Sequence, residues 1–414
     1  MQDSVTSNTE SVTFDRTIPT GFPPISKEHP VPGEPSLGSW YTEEEVEALL
    51  RVMRRSMDWR VGFHPSPEVP QFEQEFARYC GAEYAFACTS AGTALDMAMM
   101  ALDLEPGDEV ICPVATYPGT QTAVIGQGGT LVLGELNPVT YNLDPEDVER
   151  RITKRTRAIL VVHDHGLSAP IDELEEVARR HPHPKYGPAK VIGDAARACG
   201  AGYKGTKVGK KGWMTLFSFH TQKLLVTLGE GGMVTTDDPE AYERIRALGN
   251  WGSEKYWGTN YRMSKLQATV GMVQLRRLDY MIERRRDRAH RLLALLRERV
   301  PEIVLPTEPE GYYHTWYLMT CLVPKEFAGA KRDALLKWMP ENTGVGLVVG
   351  NQPTYRYRGR ILHHMGFKDE DYPVSADIGD RMFAPPMHPL LTDADLEHIA
   401  DSLRAGMDYL ARSS

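Results

Sequence analysis

The strongest constraint on the fold of this chain is a regular alternation between about residues 70 and 275. Short apolar runs, each long enough for one strand, are separated by amphipathic stretches of helical length such as DPEDVERRI and IDELEEVARR. The apolar runs are YAFAC, EVICPV, TLVLGEL, RAILVVHDH and KVIGDAA, followed by WMTLFSF and GGMVTTD. Strands that alternate with helices form βαβ units. The pattern therefore predicts an α/β fold with a largely parallel sheet.

Chain length and the order of the patterns predict two domains and an arm. A chain of 414 residues exceeds what one hydrophobic core usually serves. We assign residues 1–40 to a partly disordered N-terminal arm, 41–280 to a large α/β domain, and 281–414 to a smaller α+β domain. Helical patterns occupy 42–57, with a capping box, and the stretch that starts KLQATVGMVQ; YYHTWYLMTCLV is strand-like, and Thr392 is the N-cap expected for a C-terminal helix.

Composition argues against several broad classes of protein. The net charge is −9 and no basic stripe dominates, so we expect no nucleic-acid partner. No apolar stretch is long enough to span a bilayer, so we expect no membrane partner. Five cysteines without a CxxC spacing predict a reducing, cytoplasmic location. His163 and His165 have a spacing that suits a metal, but no third ligand cluster accompanies them, and we expect no metal site.

Three features fall where strands of the predicted sheet end, which is the edge at which open parallel sheets bind ligands. TSAGTA, residues 89–94, lies between a strand and a helix, where small residues and a helix N-terminus suit a phosphate. Asp194 ends an apolar strand, and a carboxylate there requires a cation or hydrogen-bond donors. Lys223 follows LFSFHTQ among apolar residues, where desolvation favours the neutral amine that a Schiff base needs.

Each of these features alone has an ordinary structural explanation. The first can be a capped βα turn, the second a helix N-cap, and the third a lysine whose stem is buried while its amine reaches water. Together, they follow the order of parts expected along the chain of a fold-type-I enzyme that uses pyridoxal phosphate. We therefore predict that Lys223 carries this cofactor and that Asp194 faces its ring nitrogen.

Seven segments match a known family: SAGTALDMAMMAL, PGDEVICPVATYPGT, GDAARACGAGYKG, FSFHTQK, GEGGMVTT, NYRMSKLQATVGMVQLRRLD and APPMHPLLTDADLEHIADSL. On these segments, over about residues 40–412, the chain resembles the DegT/DnrJ/EryC1/StrS aminotransferases, which act on keto-sugars and cyclitol ketones. The resemblance implies a fold-type-I transferase that depends on pyridoxal 5'-phosphate. It also implies a mainly parallel mixed sheet in the large domain and a smaller α+β C-terminal domain.

The resemblance implies roles for individual residues. Lys223 would form the Schiff base and later move a proton between substrate and cofactor, and Asp194 would keep the ring nitrogen charged. The other cofactor contacts that it implies are Gly92, Thr93 and Ser218 at the phosphate, Tyr117 stacked on the ring, and Asn260 sent to the phosphate of a second copy. The role of Asn260 implies a homodimer with shared active sites.

Substrate contacts are implied for three further residues, His220 in FSFHTQK, His314 in YYHTWY and Tyr355 in NQPTY. The alternative for His314 is a satisfied histidine beside packed aromatic side chains. These three positions follow from the resemblance, and nothing in their spacing alone requires a role in binding.

The chain departs from the family pattern near the site. Arg197 stands three residues after Asp194, where Gln or His is usual; Gly193 replaces an acidic residue, Cys199 replaces a common His, and the stretch from Lys223 to GEGG is one residue longer. Three interpretations of Arg197 are open. It lies beside the cofactor's phenolic oxygen, or it binds an anionic group of the substrate, or it pairs with a nearby carboxylate and only orders the site.

These residues predict a ping-pong aminotransferase. By resemblance, glutamate or glutamine donates the nitrogen, and a cyclic ketone such as a keto-sugar or cyclitol ketone in secondary-metabolite biosynthesis accepts it. Arg197 and the longer Lys223 loop leave open a lyase, dehydratase or cyclisation enzyme on the same scaffold. A regulator that binds the cofactor or a nucleotide-sugar without catalysis is the weaker alternative, because it needs no lysine opposite a ring-holding aspartate.

Overall fold

A computed structural model describes residues 14–21, 23–30, 38–62, 64–65 and 67–412 of the chain. Its strands are β1 (Tyr84–Cys88), β2 (Glu109–Pro113), β3 (Thr130–Gly134), β4 (Thr156–Val162), β5 (Lys190–Asp194), β6 (Gly202–Tyr203), β7 (Thr206–Lys207), β8 (Met214–Ser218), β9 (Gly232–Thr236), β10 (Tyr312–Tyr313), β11 (Cys321–Leu322) and β12 (Met382–Phe383). Its α-helices are α1 (Glu43–Ser56), α2 (Trp59–Gly62), α3 (Glu68–Cys80), α4 (Ala91–Leu102), α5 (Pro118–Gly126), α6 (Pro145–Arg151), α7 (Ile171–Arg180), α8 (Pro239–Gly249), α9 (Lys265–Arg299), α10 (Ala330–Thr343), α11 (Pro373–Arg381) and α12 (Asp393–Arg412). Within these ranges no helix is both long and apolar enough to cross a membrane.

Seven strands form the central sheet, in the order β1-β9-β8-β5-β4-β2-β3. Neighbouring strands in it run parallel, except that β9 is antiparallel to both β1 and β8. Each of the apolar runs identified in the sequence supplies one of these strands. The structure therefore confirms the predicted α/β class with a mainly parallel, mixed sheet.

The sheet is buried on both faces, which explains why its strands are apolar at nearly every position. In β1, Ala85 and Ala87 pack in the core that also holds Phe217, whereas Phe86 and Cys88 pack in the core around α4. Successive side chains of a strand point to opposite faces, so a sheet covered on both sides needs a continuous apolar run. Polar side chains are therefore placed at the ends of the strands.

One helix, α9, joins the two predicted domains. It begins at the N-cap Ser264, where a capping box closes its first turn, and continues for 35 residues. Leu278 in its first half packs in the core of the large domain, and Leu292 near its end packs in the core that α10 and α12 form. The predicted boundary at residue 280 thus falls inside a continuous helix, and the division into domains stays a prediction.

Two predicted helix caps are confirmed. Thr42 caps α1 in a capping box with Glu45. At the start of α12, the backbone N–H of Asp395 donates to the Thr392 hydroxyl (3.2 Å), and the backbone N–H of Thr392 donates to the Asp395 carboxylate (2.8 Å). Both caps satisfy backbone donors that a helix N-terminus leaves unpaired.

The expectation of one strand along YYHTWYLMTCLV is wrong for most of its length. Only the short strands β10 and β11 form at its two ends, and residues 314–320 between them are buried without joining a sheet. The backbone N–H of Thr315 donates instead to the carbonyl of Gly166, in the turn after β4 (3.0 Å). Trp316 has a φ of 53°, which interrupts an extended run.

The described part of the predicted N-terminal arm lies on the body of its own chain. Ile25 is buried in the core around α10 and α12, and its backbone N–H donates to Asp395 (2.9 Å). Trp40 is buried and donates its indole N–H to the carbonyl of Thr17 (3.1 Å). The disorder predicted for the start of the arm falls on residues 1–13, which lie outside the described ranges.

Candidate active site

The candidate site lies where the parallel strands β5 and β8 end. Asp194 is the last residue of β5 and pairs with Leu216 of β8, so Ser218 lies just beyond it on the neighbouring strand. The Asp194 carboxylate accepts hydrogen bonds from the hydroxyl of Thr120 (2.8 Å) and from the backbone N–H of Ala196 (3.0 Å). These two donors fix the orientation of the carboxylate.

Asp194 and Lys223 lie near each other at the site. Asp194 is only 5% exposed and lies within electrostatic reach of the Lys223 ammonium. Burial raises the pKa of Asp194, although the Ala196 N–H, the Thr120 hydroxyl and Lys223 act in the opposite direction. A carboxylate in these surroundings is stabilised by a further cation or N–H donor. The structure thus brings together the two residues on which the sequence argument depended.

Lys223 belongs to a closely packed loop between β8 and β9. Its backbone N–H donates to the carbonyl of His220 (2.8 Å), and its Nζ atom lies 5.2 Å from the ring centroid of Tyr317. Gly38 at the end of the arm presses on this loop, since a Cβ there would lie 1.9 Å from the carbonyl oxygen of Lys223. The backbone of the lysine is therefore held by contact with the arm.

The expected phosphate contacts converge at adjoining strand ends. Thr93 lies in the first turn of α4, where its side chain and the N-cap Ser90 form a reciprocal capping box. Ser218 pairs with Gly232 at the start of β9, and a Cβ on Gly232 would lie 2.5 Å from the backbone of Ser90. A Cβ on Gly92 would meet nothing closer than 3.5 Å, so the space above this helix N-terminus is open. Such a terminus offers backbone N–H groups to an anion.

Tyr117 and Asn260 both lie on the surface beside the site. Tyr117 precedes α5, in the segment that also supplies the hydroxyl donor to Asp194, and its side chain is 65% exposed. Asn260 is exposed and accepts a hydrogen bond from Nε of Arg262 (3.0 Å). The next carbonyl, of Tyr261, accepts the backbone N–H of Thr89 (2.9 Å), so Asn260 borders the turn of its own chain that suits a phosphate.

Arg197 contacts a carboxylate that sequence reasoning did not identify. Its Nη1 atom lies 3.5 Å from Oδ1 of Asp164, and its guanidinium carbon lies 5.5 Å from the ring centroid of Tyr317. Asp164 is buried and also accepts a hydrogen bond from the amide of Asn351 (3.3 Å). Of the three interpretations of Arg197, pairing with a nearby carboxylate is the one that this geometry supports.

His220 and His314, two of the three expected substrate contacts, have different surroundings. His220 is partly exposed next to the Lys223 loop. His314 is buried, its ring stacks on Trp316 at a centroid distance of 4.0 Å, and its Nδ1 atom accepts the backbone N–H of Trp316 (2.9 Å). Burial holds the pKa of His314 well below its usual value. The geometry of His314 corresponds to the structural alternative, a satisfied histidine among packed aromatic side chains.

Tyr355, the third expected contact, forms its side-chain hydrogen bond with a residue outside the region around Asp194. It is buried in the core around α4, and its hydroxyl donates to Asp369 (2.9 Å). Tyr357 instead lies in the electrostatic fields of Arg197 and Asp164. The run TYRYR contains both tyrosines, and its sequence carries no feature that tells which of them faces the site.

His163 and His165 each have a ring nitrogen close to a group of a nearby residue, so neither requires a metal ion. The Nδ1 atom of His163 accepts the backbone N–H of Ala169 (3.0 Å), and burial lowers the pKa of His163 to about 3. The Nε2 atom of His165 lies 3.5 Å from the Asp164 carboxylate. Across the described ranges, no group of three or more His, Cys, Asp or Glu side chains is placed to hold a metal ion.

Gly193, one of the departures from the family pattern, is explained by packing against His163. A Cβ on Gly193 would lie 2.5 Å from the Nε2 atom of the His163 ring. The ring cannot move away freely, because its other nitrogen accepts the N–H of Ala169 and the hydroxyl of Ser168 lies 3.3 Å from it. The chain therefore combines a histidine at position 163 with an absent side chain at position 193.

We predict that Gly193→Ala destabilises the fold by about 1–3 kcal/mol, because a side chain is forced into a filled space. The same change in a His163→Ala background should have a much smaller effect, since the opposing ring is gone. Urea unfolding of the single and double variants measures the difference. Gly126→Ala is the matched control, because a Cβ there meets nothing within 4 Å. Equal effects of Gly193→Ala in both backgrounds would contradict the packing explanation.

These residues fit pyridoxal phosphate. The buried, oriented carboxylate of Asp194 suits a charged ring nitrogen, and the amine of Lys223 suits an aldehyde. The open helix N-terminus at Gly92 and Thr93, next to Ser218, suits a phosphate group. Each part of the cofactor thus has a chemically matched group at this edge of the sheet.

Comparison with known proteins points to the same class. Residues 41–404 match the DegT/DnrJ/EryC1/StrS aminotransferase family. The chain is 33% identical over 379 residues to the spore coat polysaccharide biosynthesis protein SpsC of Bacillus subtilis. This alignment covers 87% of this chain and 94% of that protein. It is 33% identical over 368 residues to the dTDP-3-amino-3,6-dideoxy-alpha-D-galactopyranose transaminase of Aneurinibacillus thermoaerophilus, with 88% and 95% covered. The crystal structure of S. venezuelae DesV in complex with a ketimine intermediate aligns with a TM-score of 0.77 at 32% identity, with 87% of this chain and 94% of that chain covered.

The fold and the site together define an aminotransferase of fold type I. The chain belongs to the DegT/DnrJ/EryC1/StrS aminotransferase family, as the resemblance in its sequence indicated. It is therefore an enzyme, and membership of this family implies pyridoxal phosphate as its cofactor.

Proposed function

We propose that this enzyme transfers an amino group from an amino acid to a ketone of a sugar, with Lys223 as the residue that holds pyridoxal phosphate. The observation that carries the proposal is the buried Asp194 carboxylate at the end of β5, within electrostatic reach of Lys223 in the loop that follows β8. An amino-sugar transaminase among the relatives supports a keto-sugar ahead of a cyclitol ketone. Glutamate or glutamine as the donor, and a role in secondary-metabolite biosynthesis, rest on the family resemblance.

Lys223 and Asp194 have distinct tasks in this proposal. Pyridoxal phosphate, when bound, supplies an electron sink. The Nζ atom of Lys223 holds the cofactor and, once released by the substrate, takes up and returns a proton. Asp194 holds the ring nitrogen by charge, and Thr120 and Ala196 keep its carboxylate from rotating.

Other residues place the cofactor rather than react. Gly92, Thr93 and Ser218 are proposed to hold the phosphate, and the exposed ring of Tyr117 offers a flat face to the cofactor ring. His220 is the proposed substrate contact whose side chain is partly open beside Lys223. We also propose a cytoplasmic location, which is supported by five buried cysteines that all remain thiols.

The proposal is tested by following the two half-reactions separately. Glutamate or glutamine, added to the enzyme with pyridoxal phosphate, should convert the yellow form of the cofactor to its amine form. A nucleotide-linked keto-sugar should then restore the yellow form, with a cyclitol ketone as the comparison substrate. If every amino donor fails to give the amine form, the lyase or cyclisation alternative is favoured. That alternative rests on Arg197 beside the site and on the longer Lys223 loop.

We propose in addition that two copies of the chain share their active sites. One face of α1, together with its C-cap residue, exposes Val46, Leu50, Met53 and Met57 by 46%, 45%, 53% and 84%. These residues recur at helical spacing, and a contiguous exposed apolar face is typical of an interaction surface. A homodimer through this face would cover it, and exposed Asn260 would serve the phosphate site of the other copy.

Shared sites predict that two inactive variants restore each other. Lys223→Ala and Asn260→Ala subunits, unfolded and refolded together in equal amounts, should recover about a quarter of the wild-type rate, because one of the four sites formed would have both residues. Each variant refolded alone should stay far below this rate, and size-exclusion chromatography checks that dimers form. Recovery no greater than the sum of the two variants alone would contradict shared sites.

A further inference from the structure

A buried ion pair lies beside the proposed cofactor site. The Nη1 atom of Arg197 and the Oδ1 atom of Asp164 are 3.5 Å apart, and the two side chains are 13% and 4% exposed. Asp164 also accepts the backbone N–H of His165 (3.0 Å) and a hydrogen bond from the amide of Asn351 (3.3 Å). Donors from two separate parts of the chain thus fix the carboxylate against the guanidinium.

The backbone next to Asp164 is held in an unusual conformation. His165 has a φ of 57°, in the left-handed region that residues other than glycine rarely adopt. Its carbonyl accepts the backbone N–H of Leu318 (3.1 Å), so the buried segment between β10 and β11 keeps it in place. Strained backbone of this kind persists where the surroundings enforce it, and it is concentrated at functional sites. The position of Asp164 is therefore specified by the fold.

Arg197 and Lys223 are cations that share one aromatic ring. The guanidinium carbon of Arg197 lies 5.5 Å from the ring centroid of Tyr317, and Nζ of Lys223 lies 5.2 Å from it. The distance from the guanidinium carbon of Arg197 to Nζ of Lys223 is therefore no greater than the sum of these two distances. Arg197 is largely buried and Lys223 only partly exposed, so water screens their charges less than at an open surface, and like charges at such a separation disfavour each other.

Among the ionisable groups near these two cations, two carboxylates carry the opposing negative charge. Burial lowers the pKa of His165, with Asp164 acting against this shift and Arg197 acting with it, and burial raises the pKa of Tyr357. Both side chains are consequently uncharged near neutral pH. Asp194 lies within electrostatic reach of Lys223, and Asp164 lies against Arg197 and within electrostatic reach of Asp194.

We propose, on the basis of the proposed function, that the Arg197–Asp164 pair sets how readily the nitrogen of Lys223 carries a proton. Arg197 disfavours the proton by repulsion, and Asp164 restrains this effect by offsetting the charge of Arg197. Because Arg197 acts through Lys223, it is a positioning residue and not a catalytic one. Its effect favours the unprotonated nitrogen, the form that condenses with an aldehyde and accepts a proton from substrate.

The test is a visible-absorbance pH titration of the Schiff base in enzyme loaded with pyridoxal phosphate, without substrate. Arg197→Gln removes a cation, so the midpoint should rise by about one pH unit. Asp164→Asn removes the offsetting anion, so the midpoint should fall. Arg197→Lys keeps the charge and should stay near wild type, and the Arg197→Gln/Asp164→Asn double variant should lie between the two single variants.

The two single variants must move the midpoint in opposite directions. Unchanged midpoints, or shifts of the same sign, overturn the inference, because a purely structural pair has no reason to give opposite signs. If Asp164→Asn does not fold, the double variant decides the matter, since its midpoint must lie below that of Arg197→Gln. Absence of a reducible yellow band in the wild-type enzyme would instead overturn the proposed function itself.

Discussion

Replacing Lys223 by alanine is expected to lower turnover by at least about 10⁴-fold, because one substitution removes both the anchor and the proton carrier. The side chain lies within electrostatic reach of Asp194, and its Nζ atom lies 5.2 Å from the ring centroid of Tyr317. Removing its amine leaves the carboxylate and the helix N-terminus in place. The variant should therefore still bind pyridoxal phosphate, more weakly and without the yellow Schiff base. Steady-state kinetics and absorbance spectra measure the two effects.

Lys210→Ala is the matched control for this prediction. Lys210 forms a partly exposed ion pair with Asp237 on the surface (2.6 Å), so its loss should leave turnover unchanged. A small primary amine such as methylamine should restore part of the activity of Lys223→Ala, because it can take over the proton transfer. Full activity of Lys223→Ala without added amine would refute the mechanism.

Asp194→Asn should reduce the rate constant of the first half-reaction by about 10²- to 10³-fold, the loss expected when one partner of a buried charge pair is removed. The amide has nearly the same shape but cannot hold the ring nitrogen by charge. Because burial raises the pKa of Asp194, the cofactor-free variant should be no less stable than wild type, while the stabilisation gained on adding pyridoxal phosphate should shrink. Stopped-flow absorbance and thermal unfolding measure these quantities.

Two further variants separate the effect of the Asp194 charge from the effects of its hydrogen bond to Thr120 and of a carboxylate elsewhere. Thr120→Val removes one hydrogen bond to the carboxylate without removing its charge, so a loss of about tenfold is expected. Asp237→Asn removes a carboxylate on the surface and should have no effect on the half-reaction. An Asp194→Asn enzyme with the same half-reaction rate as the wild type would show that this carboxylate does not face the cofactor ring.

The fold was predictable because its strands and caps are local features. Each strand of the central sheet is one apolar run, and the sheet needs such runs since helices cover both of its faces. Thr42 and Thr392 lie within three residues of their capping partners. Asp194 and Lys223 were identifiable for a related reason, because a charged residue at the end of an apolar strand, or within a few residues of it, stands out in the sequence.

The rest of the site depends on contacts between distant segments. Asp164 also lies soon after an apolar strand, as a site carboxylate would. Its position between His163 and His165, however, suggested a metal ligand rather than a partner for a cation. Its contacts with Arg197 and with Asn351 join parts of the chain that only tertiary packing brings together. Tertiary packing also decided the segment YYHTWYLMTCLV, whose backbone bonds to the turn after β4 rather than to a sheet.

The most direct measurement is the site of covalent labelling after borohydride reduction. Enzyme loaded with pyridoxal phosphate is reduced, digested and analysed by peptide mass spectrometry, with Lys223→Ala treated in parallel. The central prediction is loss of the yellow band and attachment of the reduced cofactor to the peptide that contains Lys223. A label on another lysine, or an equal label in Lys223→Ala, would contradict it.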